Sequence, residues 1–419
     1  MHKLLRVAPL LILWALATPA SAQQIVVNEG EEPRARPLIL PYAFYTERMQ
    51  LALGAFTGEF GGIQPQASWF ATPYVSTNGS AGFYGGIWDY QVPFLQRLFV
   101  RAYGHFGHWE ESRAYTSLSP RPPIDALRPG NNDSDEDDFV DDSRLDVWAN
   151  APLRYLLPMG HARTSDEIIS TYVLRDGLLV DGASGGESWN PLESGLTFVH
   201  LEPFMQRQSY DVDRGNDRIE TYGFKFGIDH DNRDFRGNPS RGHRLQAYVS
   251  HDPGWIGRSE EWTFWEVEAS KYFSLGETKH LRQTVLAVDF WTGDTPSGTA
   301  PYFQGARLGG YYRLRGFEDN RFNDQAAIHY AAELRLTPRW NPIPSIDLMG
   351  GIEIDWFQVV LFAEVGRVAD SWDVSELHSD MKWDAGIGLR AMIQKAVFRA
   401  DVAASKEGAR FIAMISHPF

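Results

Sequence analysis

Alternation of apolar and polar residues is the feature that most constrains how this 419-residue chain can fold. In residues 144–155 one face carries leucine, valine, alanine and tyrosine, while the other includes Asp146, Asn150 and Arg154. Successive side chains of a β-strand point to opposite faces, so this pattern predicts a strand with one apolar face and one polar face. The same period of two recurs in residues 222–229, 244–250 and, less cleanly, 397–402.

This alternation, with a period of two residues, predicts a membrane barrel. Transmembrane β-strands need only about 9 to 11 residues, and no run after Ala22 approaches the ~18 consecutive apolar residues of a transmembrane helix. We therefore expect an all-β fold, an antiparallel transmembrane β-barrel of about 16 strands, because an even number suits a closed bacterial barrel. The predicted strands are 37–45, 49–58, 65–76, 80–91, 96–111, 144–157, 193–208, 219–234, 241–250, 260–274, 280–292, 326–337, 356–368, 382–393, 395–404 and 410–419.

Three long connections interrupt the predicted strands, at about 112–143, 158–192 and 293–325, and the other turns are short and rich in Gly, Asn, Asp and Pro. Connections of this length are usually functional or mobile.

Residues 1–22 have the pattern of a secretory signal peptide. Lys3 and Arg6 precede an apolar stretch, and Ala20-Ser21-Ala22 forms a small-residue cleavage site. Cleavage would lower the net charge from -15 to -17, because it removes two basic residues. We expect a short periplasmic segment at 23–36 and the barrel at 37–419.

Composition excludes other classes. The chain has no cysteine, which excludes a disulfide scaffold, a thiolate metal site and a thiol enzyme. Its acidity argues against nucleic-acid binding. A soluble β-sandwich or propeller is the alternative fold, but 14 Trp, 17 Tyr and 25 Phe suit the aromatic girdles of a membrane barrel.

The most informative motif is Leu314-Arg315-Gly316-Phe317, which lies in the third long connection. It resembles the aliphatic-Arg-Gly-aromatic loop tip of the Omp85 superfamily, which includes bacterial surface antigens and barrel-assembly factors. Phe362-Ala363-Glu364-Val365-Gly366 resembles a second family motif, with Glu in place of Asp, and residues 231–242 resemble the family's turn between its eighth and ninth strands. The resemblance covers nearly the whole mature chain and implies that the loop folds into the lumen, where its arginine meets acidic residues.

Alternation supplies two candidates for those acidic residues. Glu333 shares the polar face of its strand with His329 and Arg335, and Glu364 lies opposite a row of apolar residues. A guanidinium can bind such carboxylates in bidentate fashion, so we expect Arg315 to contact both glutamates.

The chain ends in Phe419, on an expected last strand whose face also carries Phe411, Ala413 and Ile415. A terminal phenylalanine in this position resembles the signal by which bacterial outer-membrane barrels are recognised for insertion.

Two further patterns are weaker. Seven acidic residues lie in 133–142, with spacing that faintly resembles a calcium loop, but Asp138 and Arg144 occupy positions where such a loop needs Gly and Glu. A solvated acidic tip, with divalent ions bridging to lipopolysaccharide as the alternative, is expected there. Gly182-Ala183-Ser184-Gly185-Gly186 matches the serine-hydrolase elbow, but no helix can follow it because Pro191 is near, so we expect a flexible periplasmic turn.

No metal or cofactor motif is present in the sequence, and we expect no enzymatic activity. The resemblance implies an outer-membrane protein that helps to insert or translocate proteins or lipids. Its expected partners are outer-membrane lipid, lipopolysaccharide, client outer-membrane proteins and a separate periplasmic POTRA or chaperone partner, since we expect no POTRA repeats in this chain. A passive channel, a barrel enzyme acting on lipids and a structural surface antigen are the alternatives.

Overall fold

The computed structural model describes residues 24–46, 49–116, 128–164, 168–210, 217–346 and 352–419. The predicted signal peptide, residues 1–22, lies outside these ranges. No helix within them has the length and apolarity needed to cross a membrane.

Strands dominate the described residues, together with a single turn of 3-10 helix at Gly160–Ala162 and a short helix, α1, at Val374–Leu377. In chain order the strands are β1 Gln24–Asn28, β2 Arg36–Thr46, β3 Gln50–Phe60, β4 Ser68–Ser76, β5 Ala81–Gln91, β6 Leu98–Ala114, β7 Val140–Asn150, β8 Leu153–Leu156, β9 Ser170–Arg175, β10 Leu178–Asp181, β11 Leu196–Tyr210, β12 Asp217–Asp231, β13 Gly242–Pro253, β14 Glu261–Gly276, β15 Leu281–Gly298, β16 Ala306–Leu308, β17 Phe322–Asp324, β18 Ala326–Pro338, β19 Ser345–Ile346, β20 Ile352–Ala369, β21 Lys382–Ile393, β22 Ala396–Ser405 and β23 Gly408–Ile415.

One large antiparallel sheet runs from β2 to β23 and is arranged as a barrel. Neighbours in the sheet follow the chain, with β15 pairing with β18 and β18 with β20 across the third long connection. Ile415 on β23 packs against the cluster of Phe70, Tyr84 and Trp88, and Phe56 of β3 joins the same cluster. Residues of the second strand of this sheet, β3, and of its last strand, β23, therefore contact one interior cluster.

Strand prediction from alternation is mostly accurate, and its main error has a physical cause. The strand expected at 382–393 coincides with β21, whereas the one expected at 144–157 is divided, because β7 ends at Asn150 and β8 begins at Leu153. Pro152 lies in the gap and has no backbone N–H for the ladder. Both halves still pair with β6 and β11, so the outward pattern continues across the break.

The buried face of the sheet is polar. On β18 the side chains of His329, Glu333 and Arg335 are buried, whereas Ala332 between them is exposed. Large apolar residues are exposed on the opposite face of the neighbouring strands, namely Leu361, Ile387, Leu389 and Val402. This distribution is the reverse of a soluble core and is typical of a wall between lipid and a polar interior.

A second sheet, which we call the small sheet, consists of β1, β9 and β10 and was not predicted. β1 pairs in parallel with β9, and β9 pairs antiparallel with β10. Tyr172 and Leu174 of β9 are fully buried against Phe235, Trp356 and the β21–β22 region. The small sheet therefore packs at the end of the barrel where β21 turns into β22.

Salt bridges and hydrogen bonds tie the small sheet to that end. Lys395, in the β21–β22 turn, has its Nζ atom 3.2 Å from a carboxylate oxygen of Glu31 and 3.4 Å from the carbonyl oxygen of Val26. Trp356 donates its indole N–H to the carbonyl oxygen of Gly177 at 3.0 Å.

Candidate functional site: the Arg315 loop

Residues 299–325 connect β15 to β18, and we call this segment the Arg315 loop. Its short strands β16 and β17 pair with each other. Leu314 and Phe317 are 0% and 1% exposed, respectively, and pack in the largest buried apolar cluster of the described residues. The apolar residues of the predicted motif therefore fix the loop from both sides of Arg315.

Arg315 is fully buried and contacts three carboxylates on three different strands. Its Nε atom is 3.1 Å from Glu364 on β20, and its Nη1 atom is 3.1 Å from Glu333 on β18 and 2.7 Å from Asp401 on β22. Its backbone N–H also donates to Glu364 at 2.7 Å, and its guanidinium carbon lies 3.6 Å from the ring centroid of Phe362. The structure thus brings Arg315 together with Glu333 and Glu364, and adds an aspartate that the sequence did not single out.

Gly316 allows the loop to approach the sheet this closely. Its backbone N–H donates to the carboxylate of Asp384 on β21 at 2.7 Å. A Cβ atom at this position would lie 2.7 Å from the Cβ of Asp384, which is closer than real Cβ atoms approach. The glycine of the motif is therefore a requirement of contact with β21.

Further arginines surround the carboxylates. Arg335 and Arg390 lie 2.8 Å and 2.6 Å from Glu333, and Arg399 lies 2.7 Å from Asp401. All three arginines are buried, with 0 to 3% exposure. Buried charges are tolerated only when paired and hydrogen-bonded, so this network depends on each member.

Sequence reasoning missed Asp384, Asp401, Arg390 and Arg399. Arg399 and Asp401 lie on the buried face of β22, in the segment where alternation is less clean. Arg399 and Asp401 alternate with alanine and valine, which was the signal in the sequence that they share one polar face. The register between β21 and β22 was also needed to connect them to the loop.

A second arginine of the motif region anchors the loop to different strands. Arg313 places its Nη2 atom 3.0 Å from Glu268 on β14, and its guanidinium carbon lies 4.0 Å from the ring centroid of Trp291 on β15. Together, Arg313 and Arg315 attach the loop to strands from β14 through β22.

The first long connection covers the other side of the loop. Arg321 is fully buried and donates to both the side chain and the carbonyl oxygen of Ser134, and its Nε atom is 3.0 Å from Glu407. The backbone N–H of Asn323 donates to the carbonyl oxygen of Gly130 at 2.7 Å. The described residues around Gly130 and Ser134 of that connection therefore pack with the Arg315 loop.

The acidic tip of that connection has no metal-binding arrangement in the described residues. The backbone N–H of Asp133 donates to the side-chain oxygen of Asn131, and the carboxylate of Asp135 accepts a hydrogen bond from the backbone N–H of Asp137. Both contacts are local turns. No group of three or more histidine or acidic residues within the described ranges is placed to hold a metal ion.

Ser184 is 1% exposed, and its immediate surroundings are those of a structural residue. Its hydroxyl lies 2.5 Å from the hydroxyl of Tyr172 and donates to the carbonyl oxygen of Arg233 at 3.3 Å. Its backbone N–H donates to the carbonyl oxygen of Asp234. The expectation of a flexible turn at this serine is wrong, because both the side chain and the backbone are fixed in the junction between the small sheet and the β12–β13 turn.

Phe419 does not lie on the last strand. β23 ends at Ile415 rather than at 419, because Ser416 adopts a φ of 81° and Pro418 cannot donate to a ladder. The Phe419 ring centroid lies 6.5 Å from that of Tyr272 and 5.5 Å from the guanidinium carbon of Arg335. Phe419 therefore packs beside the arginine network, away from the face that carries Phe411.

The whole arrangement is an electrostatic anchor. The side chain of Arg315 and the backbone N–H groups of Arg315 and Gly316 bind the loop to four buried acidic residues of the sheet through charge-assisted hydrogen bonds, which are stronger than neutral ones. Nothing in these contacts resembles a nucleophile held by a base, and the site fits a structural or mechanical role.

The family model for the Omp85 superfamily domain matches residues 180–410, more than half of the chain. The chain belongs to the Omp85 superfamily. Barrels of this superfamily are outer-membrane proteins. The match begins at β10 and includes both the Arg315 loop and the carboxylates that bind it.

Solved structures share the fold at low sequence identity. CdiB from Escherichia coli aligns with a TM-score of 0.53 and 12% identity over 91% of this chain and 62% of its own. CdiB from Acinetobacter baumannii aligns with a TM-score of 0.50 and 12% identity over 91% and 59%. BamA from Haemophilus ducreyi lacking POTRA domains 1–3 has a TM-score of 0.47 and 13% identity over 92% and 70%. This chain therefore spans less than two thirds of either CdiB chain.

A search of curated proteins gave no significant match.

Proposed function

We propose that this chain is an outer-membrane barrel that helps to insert or translocate proteins, or lipids, at the outer membrane. The observation that carries the proposal is the Arg315 loop of an Omp85 barrel bound to acidic residues on β18, β20 and β22. Because the loop is fixed to strands from β14 through β22, this part of the barrel wall should be rigid. Any opening of the wall during insertion would then occur between other strands.

The finer architecture is part of this proposal. Counting β7 and β8 as one strand, and leaving out the short strands β1, β9, β10, β16, β17 and β19, about sixteen long strands of the described residues follow one another in the sheet, as an even-numbered bacterial barrel requires. The complete burial of Arg315 supports a loop that occupies the lumen.

The exposed residues of the barrel support the proposed contacts with lipid and lipopolysaccharide. Exposed apolar residues such as Phe226, Ile228 and Leu361 suit contact with lipid, and the acidic tip at 133–142 suits the outer side, close to lipopolysaccharide. Clients would be other outer-membrane proteins, received with the help of a separate periplasmic POTRA protein or chaperone. We propose no catalytic role for the buried Ser184.

The test is the folding rate of an unrelated outer-membrane barrel into liposomes that contain this protein. We expect faster folding than in empty liposomes, and loss of that acceleration in Arg315→Ala. Arg339→Ala is the matched control, because Arg339 is half exposed and its contacts, with the exposed Glu277 and the carbonyl oxygen of Thr278, lie in a surface turn. Equal rates in empty and protein-containing liposomes would contradict an autonomous insertion activity.

A passive channel is the competing function, and planar bilayers distinguish it. The small sheet and the Arg315 loop both pack against buried apolar residues of the barrel, so we expect low conductance from the wild-type protein. Steady porin-like conductance without any effect on client folding would favour the channel.

A further inference from the structure

Lys271, His243 and His230 form a group on the outward face of the sheet, where apolar residues predominate. Lys271 on β14 is flanked by the buried Ser270 and Tyr272, and shares its face with the exposed Phe273. His243 on β13 lies directly opposite Lys271 in the pairing register. His230 on β12 lies opposite Leu245, which is 44% exposed. The register therefore places both histidines on the lysine's side of the sheet.

These histidines are buried even though they face outward. His230 is 8% exposed and His243 is 3% exposed. Residues 182–195 fold over them: Trp189 stacks on His243 with ring centroids 4.4 Å apart and an interplanar angle of 16°. Trp189 itself is 68% exposed, so this covering segment extends a tryptophan away from the sheet.

The cluster has polar groups with no partner in the described residues. The Nδ1 atom of His230 meets the hydroxyl of Thr197 at 2.9 Å, but its buried Nε2 atom has no hydrogen-bond partner. The ammonium of Lys271 lies 4.1 Å from the ring centroid of Trp189 and 5.6 Å from that of Phe273, and it forms no ion pair with a described residue. The buried Nε2 atom of His230 does not reach the surface, so Lys271 is the group that can meet a ligand. A lysine on an apolar face favours an anionic partner.

The nearest acidic residues of the covering segment do not provide that partner. The carboxylate of Glu193 accepts a hydrogen bond from the hydroxyl of Ser188 at 2.8 Å, and Glu187 is exposed and forms no ion pair with a described residue. Lys271 thus contacts aromatic rings where a carboxylate would be expected.

The position of the cluster identifies the kind of anion. His243 is the second residue of β13 and Lys271 lies near the end of β14, at the same end of the barrel as the small sheet. In the proposed outer-membrane orientation this is the periplasmic end, at the level of phospholipid headgroups. Tryptophan with lysine at a membrane interface suits one apolar and one charged contact with the same lipid.

We propose that Lys271 and Trp189, which is held by stacking on His243, form a binding site for the phosphate of an anionic phospholipid in the inner leaflet. Lys271 supplies the positive charge, and Trp189 packs along the upper part of the acyl chain. The site depends on the outer-membrane placement in the proposed function but not on insertion activity.

The experiment measures lipid retained by the purified protein in nanodiscs of phosphatidylcholine containing a minor fraction of phosphatidylglycerol. Wild-type protein should enrich phosphatidylglycerol about fivefold over its bulk fraction, in keeping with one basic residue near a membrane surface, and Lys271→Gln should abolish that enrichment. Lys279→Gln, which removes an exposed lysine in the neighbouring β14–β15 turn, should retain it.

One more variant and one competitor make the result decisive. Trp189→Leu lies outside the barrel wall and should lower enrichment while the protein still shows its heat-modifiable shift on gels. Inorganic phosphate at millimolar concentration should not compete, because the site recognises phosphate carried by a lipid. Equal retention by wild type and Lys271→Gln, equal retention of phosphatidylcholine and phosphatidylglycerol, or competition by free phosphate would each overturn the proposal. Since retention is measured without a client, a protein that fails as an insertion factor still gives a clear answer.

Discussion

Replacing Arg315 by alanine should destabilise the barrel more than any other single change in the loop. The substitution removes the guanidinium that contacts Glu333, Glu364 and Asp401. Breaking a buried ion pair by removing one partner costs about 3 to 5 kcal/mol, because the remaining charge stays buried. We expect a decrease of that size in the free energy of unfolding.

The loss of Arg315 should leave the three carboxylates with different numbers of arginine partners. Glu333 keeps Arg335 and Arg390, and Asp401 keeps Arg399, whereas Glu364 has no second arginine within salt-bridge distance in the described residues. Neutralising that glutamate as well should therefore recover part of the loss. We expect Arg315→Ala with Glu364→Gln to be about 1 to 2 kcal/mol more stable than Arg315→Ala alone.

Urea unfolding in detergent micelles, followed by tryptophan fluorescence, measures these differences. Limited proteolysis of the folded protein reports separately whether the Arg315 loop has come free. Arg339→Ala, at an exposed pair, should change stability by no more than about 1 kcal/mol. A loss below about 1 kcal/mol in Arg315→Ala, with the loop still resistant to protease, would refute the reasoning.

Three other changes test separate contacts. Burial alone would raise the pKa of the Glu31 carboxyl, but hydrogen bonding and attraction to Lys395 lower it from 4.5 to about 2, so its contribution to stability is present above pH 4.5 and is lost as the pH falls toward 2. Because this carboxylate is partly exposed, the loss of stability should be below about 1 kcal/mol. Hydrogen exchange of β1 in the wild type and in Glu31→Gln should show this loss, and an identical pH profile in both proteins would count against the salt bridge. Ser184→Ala should lower the free energy of unfolding in urea by about 1 to 3 kcal/mol, because the hydrogen bond to Tyr172 is lost. The variant and the wild type should hydrolyse a test ester at the same background rate. An esterase activity that is present in the wild type and lost in the variant would contradict the structural role of Ser184. Arg321→Ala should make residues 128–143 more sensitive to protease while the barrel stays folded, and unchanged cleavage would show that other contacts hold this connection.

Alternation predicts the barrel because each wall residue has one of only two environments. The long strands are found within a few residues of their expected positions, including β12 and β13, which flank the family-like turn. Pairs such as Arg315 with Glu333 are also within reach of the sequence, since a polar face and a family motif together place both members.

What alternation could not predict depends on long-range contacts. The small sheet joins β1 to β9, which are more than a hundred residues apart, in strands too short to show a clear period. Asp401 and Arg390 needed the register of neighbouring strands, and the inward turn of Phe419 needed the backbone conformation at Ser416. Each of these features is fixed by tertiary packing, which local pattern does not contain.

The short segment between β1 and β2 has a mechanical consequence. Seven residues, 29–35, link a strand of the small sheet to the first strand of the barrel. Fully extended, such a segment spans at most about 25 Å. As long as β1 remains paired with β9, the small sheet can move from the mouth of the barrel only by that length, and any larger displacement pulls directly on β2. The segment is a tether that converts movement at the mouth into tension on the first strand of the wall.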